Sequence, residues 1–170
     1  MQLILLRHGP AELRRTGLPD EHRALTRKGL VKTKKACAGL AKLIFADQSE
    51  QLSAGDVQLW SSPLLRARET ADMLANQLNL SVEEHSFAAS GDTDDLIHAL
   101  SGVSDAMTII ISGHEPLLSE WSGDLCGCPL PFKKASAAAI SYSKIKPESS
   151  KLLWFLQPGY LRKMRNWESK

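Results

Sequence analysis

The chain has few cysteines, few aromatic residues and almost no excess of charge. Its three cysteines are Cys37, Cys126 and Cys128. An odd count excludes a complete disulfide framework, and the Cys126-Gly127-Cys128 pair has no second pair at zinc-ligand spacing. Free thiols in a reducing cytoplasm are therefore expected, with no metal and no cofactor. Aromatic residues make up 6% of the chain. Its four tryptophans, Trp154 and Trp167 among them, read as packing or surface residues, not as a platform for stacked bases. The 21 basic residues nearly balance the 19 acidic ones, leaving +2. That excludes bulk attraction to nucleic acid or to a membrane, so any preference for anions must come from a local cluster. No apolar run approaches the ~20 residues of a membrane-crossing helix. Arg7 interrupts the first apolar run, so the N-terminus does not read as a signal peptide. The expectation is a cytoplasmic protein without a nucleic-acid or membrane partner.

What remains is an ordinary globular composition, 43% hydrophobic and 24% charged over 170 residues. A chain of this length can bury roughly 70% of its unfolded surface in one domain. Leu3–Leu6 is apolar at every position, the pattern of a strand covered on both faces. Residues 9–24 are polar and read as a loop. Thr26 is placed to cap a helix running to about Ala46, with Leu30, Cys37, Leu40, Ala41 and Ile44 on one face. Val57–Ser61 reads as a strand. In SSPLLRARETADMLANQL, Ser62 is placed as an N-cap and Pro63 as the first helical residue, with Ala67, Ala71, Leu74 and Leu78 as the buried stripe. Residues 81–84 read as a strand, and Thr93 starts a short helix to about Leu100. MTIIIS is the most strand-like stretch, and a helix follows Pro116. Further strands fit near 137–144 and 152–156. The domain is taken as residues 1–158, and 159–170 as a tail with little structure. Alternating strands and helices imply an α/β domain with a mostly parallel central sheet and helices on both faces.

Ligands in such sheets bind at the carboxyl ends of the strands. Here those ends carry Arg7-His8-Gly9, Ser61-Ser62-Pro63 and Ser112-Gly113-His114. Three strands thus deliver polar residues to one rim, and Arg66 joins them from the first turn of the following helix. Two guanidiniums and a helix N-terminus suit a phosphate. A histidine beside two arginines stays neutral, below its usual pKa of ~6.5. Its free ring nitrogen can attack phosphorus while the other nitrogen is held by a backbone carbonyl, at a turn that Gly9 allows. The arginines and His114 would stabilise the transferring phosphoryl oxygens.

In order along the chain, LILLRHG, SSPLLRARETA and IISGHEP resemble the three signature segments of the histidine phosphatase superfamily. The short length and the DEHRALTRKG segment are most similar to the SixA-like phosphohistidine phosphatases. The resemblance covers residue 3 to about 120. It implies a single-domain three-layer sandwich of the phosphoglycerate mutase type. It also implies that His8 carries the phosphoryl group, that Arg7 and Arg66 bind phosphate and that His114 completes the pocket. Arg23 matches an arginine before the Leu-Thr pair of this group and is carried over as a weaker substrate contact, and Gly9 and Ser62 on the same rim are taken as further contacts. The implied substrate is a phosphohistidine on a protein, such as a phosphotransfer domain. The alternatives are a phosphomonoesterase for a small phosphorylated metabolite, or a phosphate-binding module without turnover.

The general acid stays open. Many phosphomonoesterases of the superfamily have a glutamate after the second segment, where this chain has Ser86, with Glu83 and Glu84 nearby. Glu115, next to His114, is the other candidate, and its alternative reading is a solvated surface residue. Without a dedicated acid, phosphohistidine is the easier substrate. Imidazole leaves with a conjugate-acid pKa of ~6.5, whereas an alkoxide leaves at a value near the ~16 of water. The chain also has no room for long insertions over the pocket. His22, His85 and His98 read as loop or exposed helical residues, and Lys163 with Arg165 as too small a basic patch to indicate a partner.

Overall fold

A computed structural model describes residues 1–46 and 54–166, so Trp167 and the end of the tail lie outside it. Six strands, β1 (Gln2–Arg7), β2 (Val57–Ser61), β3 (Val82–Glu84), β4 (Thr108–Gly113), β5 (Ala137–Ser141) and β6 (Lys151–Leu156), form one sheet in the order β3-β2-β4-β1-β5-β6. The first four are mutually parallel, and β5 and β6 add an antiparallel flank. Six helices cover the two faces: α1 (Arg27–Ala46), α2 (Leu65–Leu78), α3 (Phe87–Ser90), α4 (Thr93–Ser101), α5 (Leu117–Cys126) and α6 (Pro158–Met164). The architecture is the expected α/β sandwich.

The apolar pattern explains the layers. Successive strand residues point to opposite faces, so Leu3 and Leu5 pack with Phe87, Leu96, Leu100, Leu118 and Trp121 of α3, α4 and α5. Ile4 and Leu6 pack with Leu40, Ile44, Leu74 and Leu161 of α1, α2 and α6. Each fully buried leucine or isoleucine contributes roughly 1.5–3 kcal/mol of transfer free energy. The central strands β1 and β4 are adjacent, yet α1 follows β1 on one face and α5 follows β4 on the other. Connections that diverge in this way open a crevice at the carboxyl ends of those two strands.

Two expectations are corrected. The second helix starts at Leu65, not Pro63, and Ser62 is not its cap; Leu64 holds that position without a side-chain bond. α4 starts at Thr93 as expected, with Asp92 as its cap accepting from the amides of Asp94 and Asp95. The tail is not structureless: Tyr160–Met164 belongs to α6, whose Leu161 is fully buried against α1. A Cβ on Gly39 of α1 would lie 1.8 Å from the Leu161 carbonyl oxygen, so only glycine permits this close approach. Thr26 does cap α1, accepting from the Gly29 amide at 3.0 Å. Among the described residues no helix is long and apolar enough to cross a membrane.

Candidate active site

Register places the site. Arg7 pairs with Gly113, and Leu6 and Ser61 both pair with Ser112, so β1, β2 and β4 end at one level. The residues just beyond, His8, Ser62 and His114, emerge together. Backbone bonds extend the ladder by one step, from His8 N to Gly113 O at 3.0 Å and from Ser62 N to Ser112 O at 2.9 Å. The rings of His8 and His114 stand 5.0 Å apart and are 7% and 6% exposed. Arg66, on the first turn of α2, is 5% exposed.

A backbone carbonyl assigns the tautomer of His8. His8 Nδ1 lies 2.7 Å from the Gly9 carbonyl oxygen, which can only accept, so Nδ1 carries the proton and the Nε2 lone pair faces the crevice. Burial, reinforced by His114 and the two arginines, lowers the His8 pKa to about 3. Burial, then Arg66, lowers that of His114 to about 4. Both rings are neutral at physiological pH. Ser62 Oγ accepts from the Leu64 amide at 3.3 Å and lies 2.8 Å from His114 Nε2. A Ser62 hydroxyl that donates to His114 Nε2 leaves the proton of His114 on Nδ1. That Nδ1 is buried without a partner among the described residues, as are Arg7 Nε and Arg66 Nε. Buried donors left unpaired are costly. Here they belong to the residues that surround the His8 ring, and a phosphoryl group is the guest that would satisfy them.

The remaining expected contacts are placed differently. Ser62 serves His114, so its hydroxyl is engaged before any substrate arrives. Gly9 donates its amide to Thr70 Oγ1 at 3.1 Å, and Thr70 in turn donates to the Arg66 carbonyl oxygen at 2.8 Å. A Cβ on Gly9 would meet Thr33 Oγ1 at 1.8 Å, so the turn after His8 requires glycine for space. Arg23 bonds the Glu12 carbonyl oxygen and the Asp20 carboxylate. Glu115 Oε1 accepts from the Phe132 amide at 3.1 Å, and Oε2 lies 2.7 Å from Ser119 Oγ, whose one proton is also within reach of the Leu130 carbonyl oxygen at 2.5 Å. Since Arg7 Nη1 donates to the Phe132 carbonyl oxygen at 2.5 Å, Glu115 holds the loop that holds Arg7. Ser86 is exposed and precedes α3. His85 is half-buried between the rings of Trp60 and Phe87, a packing role the sequence did not suggest.

Asp20 and Thr70 were missed. Asp20 accepts from Arg66 Nη2 at 2.8 Å, and its carbonyl oxygen accepts from Arg66 Nη1 at 2.7 Å. Arg14 and Arg23 bond its other carboxylate oxygen. Burial pushes the Asp20 pKa up, but the hydrogen bonds from Arg14, Arg66 and Arg23 outweigh it and hold the carboxyl well below the usual range. The only local signal was the Asp20–Arg23 spacing. Cys37, beneath Thr70, is no rival nucleophile, because burial pushes its thiol up to about 12.

Comparison with known proteins gives the family and the fold. The pattern of the histidine phosphatase superfamily (branch 1) matches residues 3–87, half of the chain. The chain belongs to the histidine phosphatase superfamily. An uncharacterised protein of Picosynechococcus is 31% identical over 150 residues, spanning 82% of this chain and 84% of that one. Among solved structures, the protein histidine phosphatase SixA complexed with tungstate superposes with a TM-score of 0.73 at 24% identity, covering 95% of this chain and 99% of that one. A mycobacterial glucosyl-3-phosphoglycerate phosphatase with inorganic phosphate gives 0.64 at 18% identity, covering 92% and 98%. At such identities the likeness establishes the fold. Within this histidine phosphatase fold, Arg7, His8, Arg66 and His114 are one cluster.

Proposed function

We propose that the protein is a phosphatase that removes the phosphoryl group from a phosphohistidine on another protein. His8 Nε2 attacks phosphorus in line; the new N–P bond forms as the bond to the departing imidazole breaks. Water then attacks phospho-His8, releasing inorganic phosphate and restoring the neutral ring. Arg7 Nε, Arg66 Nε and His114 Nδ1–H donate to the phosphoryl oxygens, where charge spreads in the transition state.

The observation that carries the choice of substrate is the state of the nearby carboxylates. Glu115 is tied to the Phe132 amide at one oxygen and packed against Ser119 Oγ at the other. Asp20 is held as an anion by three arginines. Neither is a ready proton donor, which suits imidazole far better than an alkoxide as leaving group. The metabolite phosphatase remains the second reading, favoured by an open depression beside Asp20 that Arg14, Arg15, Thr16 and Leu18 line and whose two arginines suit a small anion. Parallel turnover of a phosphohistidine-bearing protein and of p-nitrophenyl phosphate, with His8→Ala as control, tests the choice. Higher kcat/KM on the protein, lost in His8→Ala, supports the proposal. Preference for the ester favours the metabolite enzyme, and turnover without His8 refutes the mechanism.

A further inference from the structure

The near-neutral total charge conceals a polarised molecule. α1 carries Arg27, Lys28, Lys32, Lys34, Lys35 and Lys42 and no acid. α6 and the residue after it add Arg162, Lys163 and Arg165, again without an acid. These nine of the 21 basic residues lie on two helices packed together. The other twelve stand against all 19 acids. Across the sheet, α4 and α5 hold Asp94, Asp95, Glu120 and Asp124 and no lysine or arginine. Lys163 and Arg165, too few alone to indicate a partner, are thus part of a continuous basic face.

That face is built like the rim of a protein interface. Arg27, Lys28, Lys32, Lys34 and Lys35 are exposed and form no ion pair among the described residues. In their midst Val31 is 55% exposed. It opens a groove of about 280 Å³, lined also by Lys34, Lys35, Ala38, Gln77 and Arg165. An apolar centre ringed by charge is the usual layout of a protein contact. The face also begins at the catalytic rim. The Thr26 amide, immediately before α1, donates to the Pro10 carbonyl oxygen at 2.9 Å, and Pro10 lies two residues beyond His8. From Arg27 to Lys35 the helix advances about 12 Å, well within the footprint of one small domain.

We propose that the outer face of α1, with α6 beside it, docks an acidic surface of the protein whose phosphoryl group His8 removes. The proposal rests on the phosphohistidine-protein reading above. Opposite charge speeds encounter, and the acidic face across the sheet turns the wrong side away. A body seated on α1 then presents its phosphohistidine to the crevice.

The test uses the full chain and a triple variant, Lys28→Glu, Lys32→Glu and Lys35→Glu, all exposed and none of them a phosphoryl donor. The probes are p-nitrophenyl phosphate and two carrier domains phosphorylated on histidine with phosphoramidate, one acidic and one basic around that histidine. On the acidic domain the variant should lose about 10-fold or more in kcat/KM, carried by KM, with kcat within about 2-fold. Its kcat/KM on the basic domain should be equal or higher, and p-nitrophenyl phosphate turnover unchanged, showing an intact fold. Unchanged kcat/KM on the acidic domain overturns the docking proposal and leaves the phosphohistidine reading standing. Wild-type failure on both domains, with ester turnover retained, overturns that reading and the docking proposal with it. If the variant instead loses binding to a DNA duplex or to phosphatidylserine vesicles at about 150 mM salt, with carrier-domain kinetics unchanged, the face serves a polyanion and the proposal is wrong.

Discussion

Two buried neutral imidazoles make stability depend on pH. In the unfolded chain both titrate near ~6.5. In the folded chain His8 takes a proton only near about 3 and His114 only near about 4. As pH falls below ~6.5 the unfolded state binds protons that the folded state refuses, so stability is lost progressively down to those folded values. At about pH 5 each unfolded imidazole is almost fully charged and each folded one almost fully neutral. At 1.36 kcal/mol per unit, each histidine then costs ~2 kcal/mol relative to about pH 7.5, or ~4 kcal/mol together. That is a large share of the 5–15 kcal/mol typical of a domain. Both rings are more than nine-tenths buried, so solvent screening does not erase the effect. The assay is guanidinium unfolding at both pH values for the wild type and for His8→Asn with His114→Asn. Carboxylates and exposed histidines contribute to both proteins alike and cancel in the difference. The wild type should lose ~4 kcal/mol more than the double variant on acidification. A difference below ~1 kcal/mol would falsify the claim that the site holds its histidines neutral by burial and positive charge.

Other expectations follow from single contacts. Glu115→Gln keeps an acceptor for one donor, and should slow ester and phosphohistidine turnover equally, by less than about 5-fold; a loss confined to esters, ~100-fold or more, would restore Glu115 as their general acid. Gly9→Ala forces a Cβ into Thr33 Oγ1 and should abolish turnover, with Thr33→Ala in the same chain recovering part of it; no recovery would place the defect elsewhere. Leu161→Ala should cost ~2–5 kcal/mol in denaturant unfolding, because α6 docks on α1 through that side chain; a change under ~0.5 kcal/mol would show that the C-terminal helix is dispensable.

Local sequence determined a great deal here. Leu3–Leu6 and Ile109–Ile111 are uninterrupted apolar runs because their strands are covered on both faces, and such strands had to end where polarity returned, at Arg7-His8 and at His114. Burial of those runs in one parallel sheet then brings the four central site residues to one rim, so Arg7, His8, Arg66 and His114 were readable before any coordinates. Tertiary structure decided what periodicity cannot encode, namely which group on one element meets which group on another. Asp20 and Arg66 are 46 residues apart, and their pairing exists only because the loop after β1 crosses the start of α2. The Ser62 hydroxyl meets His114, 52 residues away, a contact no local pattern announces, and α2 starts two residues later than expected. Glu115 looked free to act as an acid until the Phe132 amide and the Ser119 side chain folded onto it. The total charge of +2 reported nothing of the basic face, since a sum over the chain discards position and only packing α6 against α1 sets their cations side by side.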